Sequence, residues 1–108
     1  MTPIDLNLPP GSTTNGELLS DYSQCVGRLS QDVLQIDLPT GQTIDVGWLP
    51  AFDPKGSFQI VVFEGDWDNQ LEPPVLVKTP DDVAVRIAAV IARLTAARGV
   101  KLSQRMPT

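Results

Sequence analysis

Apolar and polar residues alternate with a period of two through residues 33–48. Leu34, Ile36 and Leu38 are interleaved with Gln35 and Asp37, and Ile44, Val46 and Trp48 with Thr43, Asp45 and Gly47. Such alternation sends one set of side chains to a core and the other to solvent, so both stretches read as half-buried β-strands. Between them, PTGQ places Pro39 at the second position of a type I turn and Gly41 where a bulged hairpin needs a left-handed residue. The next turn, DPKG at 53–56, has Asp53 to cap it, Pro54 to preset φ and Gly56 free to take a positive φ. It returns the chain into residues 57–63, a run rich in β-branched and aromatic residues that suits a central strand. A further short strand is predicted after Pro74, whose missing amide donor favours a strand start or an edge.

The last element has helical period. Val83, Ile87, Val90, Ile91 and Leu94 make one apolar stripe, Thr79 is positioned as N-cap, Pro80 as first helical residue, and Asp81 and Asp82 oppose the positive helix end. Gly99 reads as its stop, and Arg86, Arg93 and Arg98, outside the stripe, read as a solvated face. Residues 17–29 fit two patterns. Leu18, Tyr22, Cys25 and Leu29 share a helical face, whereas 22–29 also fits a strand entering a turn at 30–32, the reading favoured here because a hairpin is the shortest connection. Residues 1–16 lack sustained periodicity and read as a flexible arm, and 100–108 as a frayed tail.

Together these elements predict one α+β domain over residues 17–99. The expected architecture is a two-layer sandwich, an antiparallel β-meander of about four to five strands packed against one C-terminal amphipathic helix. Leu34, Ile36, Ile44, Val46, Ile60, Val62, Ile87, Val90 and Leu94 are expected in a single core, with Trp48 closing one end beside Pro50 and Phe52.

Composition narrows the chemistry. The 108 residues suit a single domain, and ten prolines and eight glycines argue against a helical bundle. The chain contains no histidine, which removes the commonest general base near neutral pH and the usual imidazole metal ligand. One cysteine, Cys25, allows neither an internal disulfide nor a cysteine metal cluster, and reads as a small packed thiol. Neither a phosphate loop nor a dinucleotide fingerprint is present, and EGDWDNQLE lacks the spacing of a calcium-binding loop. No catalytic residue, metal or cofactor is therefore expected, and a carboxylate-dependent enzyme ranks lowest among the readings.

Charge points toward a partner. All 13 acidic residues lie within positions 1–82 beside only Arg28, Lys55 and Lys78, so this part carries −10, and the remainder +5. A general nucleic-acid binder needs a basic face, and none is predicted here, whereas an acidic surface speeds encounter with a basic protein. No run is long and apolar enough to span a membrane, and the N-terminus lacks a signal-peptide pattern, so a cytoplasmic location is expected. Trp67 stands between Asp66 and Asp68 in the loop after the most apolar strand, where alternation no longer demands burial. With Glu64 and Glu72 it forms the candidate partner-binding loop, an aromatic anchor in a charged rim. The general plan looks like that of many small bacterial binding proteins, immunity proteins among them. That likeness is one of class, and it implies a protein-binding module that occludes a basic partner, with a homodimeric structural or small-ligand-binding domain as the alternative.

Overall fold

The computed structural model describes residues 3–22 and 26–105, with the side chains of residues 3–22 and 27–95. Five strands form one antiparallel sheet in chain order, β1 (Thr13–Gly16), β2 (Leu34–Asp37), β3 (Gln42–Leu49), β4 (Ser57–Glu64) and β5 (Val75–Val77), followed by a single helix α1 (Pro80–Arg105). The α+β two-layer plan expected from the residue pattern is the one observed.

The longest ladder sets the faces. β3 and β4 pair over eight positions from Gln42–Glu64 to Leu49–Ser57, which aligns Ile44, Val46 and Trp48 with Val62, Ile60 and Phe58 on one side. All six are at most 5% exposed. Val83, Ile87 and Val90 of α1 are buried in the same cluster, and Ile91 and Leu94 pack against it. The helix begins as its residues require: the Asp82 amide donates to Thr79 Oγ1 at 3.1 Å, and the Val83 amide to the Thr79 carbonyl at 3.1 Å. The β2–β3 turn also has the expected form, with the Gly41 amide donating to Leu38 O at 3.1 Å and Gly41 at φ 100°.

Several expectations are corrected. Residues 13–16, read as part of an arm, form β1 and pair with β2 from Thr13–Asp37 to Gly16–Leu34. The preceding segment is also tied down: the Ile4 amide donates to Leu18 O at 2.8 Å, and Ile4, Leu6 and Leu8 pack against the core. The strand favoured over 22–29 is not formed in its described part. Val26–Arg28 make one 3₁₀ turn, and Leu18, Leu19, Tyr22 and Leu29 are buried from loop backbone; Cys25 lies outside the described residues. Gly99 does not stop α1, which continues to Arg105.

The end of the core differs too. Trp48 is buried as expected, but Pro50 is exposed and Phe52 is 57% exposed. The partner of Trp48 is Phe58, edge-on at 4.7 Å, and its indole N–H donates to Asp53 O at 2.7 Å. Asp53 caps its turn through the Lys55 amide at 2.9 Å. Gly56 is needed for space, since a Cβ there would lie 2.6 Å from Leu49 O and 2.7 Å from Trp48 Nε1.

Because Ile87 is 1% exposed, Ile87→Ala is expected to destabilise the fold by about 2–5 kcal/mol in urea unfolding. A loss below about 0.5 kcal/mol would show that the helix stripe does not pack on the sheet.

Candidate functional site

Alternation that buries one face of the sheet exposes the other. The residues opposite α1 are Gln35 and Asp37 of β2, Thr43, Asp45, Gly47 and Leu49 of β3, Gln59, Val61 and Phe63 of β4, and Leu76 of β5. Leu76 is 63% exposed and Leu49 37%. Val61 is buried even so, with Asp45 across the ladder and Gln59 and Phe63 along its own strand.

The loop after β4 folds back at the edge of this face. The Glu64 amide donates to Asn69 O, the Asn69 amide to Asp66 O, both at 3.1 Å, and Asn69 Nδ2 to Glu64 O at 2.9 Å. Asp66 Oδ1 accepts from the Asp68 amide at 2.8 Å, the local turn that Asx residues favour. This tight turn lifts Trp67, which is 49% exposed and tilts over Phe63 with ring centroids 5.3 Å apart. Three of the five predicted residues, Asp66, Trp67 and Asp68, therefore stand together on an exposed rim. Glu64 lies at its base, its carboxylate accepting from Gln42 Nε2 at 3.0 Å.

Glu72 is turned elsewhere. Its side chain is 11% exposed and binds two guanidinium groups of α1, Arg86 at 2.7 Å and Arg93. Arg86 and Arg93, expected simply in solvent, thus fasten the loop to the helix; the Arg98 side chain lies outside the described residues. Among the described residues, no three acidic or cysteine groups converge as a metal site would require.

Sequence reasoning missed a second feature of this face. Leu34 pairs with Val46, but the Trp48 amide donates to Ser30 O at 2.8 Å, a slip of two residues relative to the continued ladder. The surplus backbone bulges over the open face at Gln31 and Asp32. Gly47 permits this, because a Cβ there would lie 2.4 Å from Gln31 O. Asp32, Asp45, Gly47, Gln59, Leu49 and Trp67 consequently line one concavity of about 330 Å³. Burial, and secondly the charge of Asp32, raise the Asp45 carboxyl from 3.8 to about 6. The available signal was Gly47, a glycine at a polar position of a central strand, where a close backbone approach is a standard reason for its presence.

No protein-family model, curated protein or solved structure matches this chain. Carboxylates beside an exposed aromatic ring offer attraction to cations and a large apolar contact, which are elements of recognition.

The raised Asp45 carboxyl gives a pH prediction. The native state holds this proton more tightly than the unfolded chain, so its stabilising contribution is complete below about pH 3.8 and is lost as pH rises through about 6. Asp45→Asn, which cannot ionise, is expected to gain stability over the parent protein, and by about 1–2 kcal/mol more at pH 7.5 than at pH 4.5, allowing for partial solvent screening. An equal effect at the two pH values in urea unfolding would contradict the assignment.

Proposed function

We propose that this protein is a protein-binding module, docking a basic partner on the open sheet face and the loop of residues 64–72. An immunity or inhibitor role, covering the surface of such a partner in the bacterial cytoplasm, is the biological form of this reading. The observation that carries it is Trp67, half-exposed on a hydrogen-bonded turn beside an uncovered sheet face, between two exposed carboxylates. A tryptophan held in this way supplies contact area with little ordering entropy left to lose, and rim charges steer encounter. Loops on a rigid sheet are common carriers of such function. A homodimer joined face to face through this surface is disfavoured, because it would bring one acidic patch against another.

Partner capture with the tagged protein, followed by binding kinetics on the purified pair, tests the reading. Trp67→Ala is expected to weaken binding by about 2 kcal/mol or more through faster dissociation. Asp66→Asn with Asp68→Asn is expected to slow association and flatten its salt dependence. Unchanged affinity for Trp67→Ala, together with a large fall in melting temperature, would reassign Trp67 to a purely structural role.

A further inference from the structure

The open face has carboxylates without a described cation to match them. Asp32 and Asp45 line the concavity beside Trp67, and on their far side also line a smaller one of about 190 Å³ with Asn15 and Gln35. The described basic groups are elsewhere: Arg28 pairs with Glu17, Arg86 and Arg93 with Glu72, Lys78 Nζ donates to Gly56 O at 3.1 Å, and Lys55 stands in the β3–β4 turn. The face thus combines exposed apolar side chains, Leu49, Trp67 and Leu76, with negative charge that no described cation compensates. A second copy docked face to face would repeat that charge, and an acidic or purely apolar partner would leave it unmatched. A basic one complements it.

We propose that a basic segment of the partner lies across this face and inserts a lysine or arginine side chain between Asp32 and Asp45, against the Trp67 ring. This rests on the docking reading above and extends the contact from the loop to the sheet. Both carboxylates and the indole line the same concavity, so one cation meets charge and a π face together. Gln35 of β2 and Gln59 of β4 add amide groups at its edges. The groups facing Asp45 are Asp32 on the bulge, Gln35 across β2 and Val61 across β4, with no described cation among them. Ionised Asp45 is therefore stabilised when the guanidinium or ammonium enters, and binding strengthens as pH rises through about 6.

The test uses acetylated hexa-arginine amide as probe, titrated into the full chain at low salt and followed by ¹H–¹⁵N spectra. Binding is expected to shift the Trp67 indole and the Asp32 and Asp45 amides while leaving the buried Trp48 indole in place. Affinity should rise severalfold from pH 5 to pH 7.5, and Asp45→Asn should flatten that rise. The Asp32→Asn, Asp45→Asn double variant should bind at least fivefold more weakly, whereas Asp81→Asn with Asp82→Asn, an equal charge change at the helix start, should stay within twofold. Absence of saturable binding, wild-type affinity in the first double variant, or equal weakening by both pairs would overturn the proposal. If Trp67→Ala abolishes capture of the natural partner while the Asp32, Asp45 pair proves neutral toward hexa-arginine, the docking reading stands and the placement of the cation falls.

Discussion

Eight consecutive cross-strand pairs join β3 to β4, and the period of two along each strand matches their apolar sides to one face of the sheet. In this register Trp48 meets Phe58, Val46 meets Ile60 and Ile44 meets Val62, and these six side chains are the floor on which α1 rests. A slip of one residue that turned β3 over would send Ile44, Val46 and Trp48 outward and bring Asp45 beneath the helix. The cost of burying an unpaired carboxylate there excludes that alternative. The helix covers only the side that this ladder makes apolar. The composition of the other side follows from the same constraint.

On that other side, the fold departs from regular pairing at one place, and the departure has electrostatic consequences. The two-residue slip at Gln31 and Asp32 brings backbone over Gly47 and sets one carboxylate close to another. Burial disfavours the ionised carboxyl and the charge of Asp32 adds to this, which is why Asp45 holds its proton to about pH 6. Glu72 shows the contrary arrangement. There, two arginines neutralise one largely covered carboxylate and fasten the loop before β5 to α1.

Much of this was legible in the residues, for reasons that differ by element. The alternation of 34–38 and 43–48, Pro39 with Gly41, and Thr79 followed by Pro80 and two aspartates are local signals, and the local structure obeys them. β1 was not legible, because Thr13–Gly16 is exposed throughout and pairs through backbone alone, so burial writes no pattern into it. Gly99 misled because a helix tolerates an interior glycine at a cost of only about 1 kcal/mol, and helix-permissive residues continue beyond it. In the site, Asp66, Trp67 and Asp68 are neighbours in sequence and remain neighbours on the rim. The Asp32–Asp45 juxtaposition depends on a register slip, and the Glu72 ion pairs on residues 14 and 21 positions away, relations that periodicity does not encode.

The face opposite α1 is negative and has the half-exposed Trp67 at its edge, while Trp48 is sealed in the core. Stern–Volmer quenching of tryptophan fluorescence by caesium and by iodide at matched ionic strength measures this directly. The expected result is two emitting populations, one inaccessible to both ions and one quenched more efficiently by caesium than by iodide, relative to free tryptophan. Loss of the accessible population in Trp67→Phe would assign it. Two inaccessible tryptophans, or an accessible one quenched preferentially by iodide, would contradict the account.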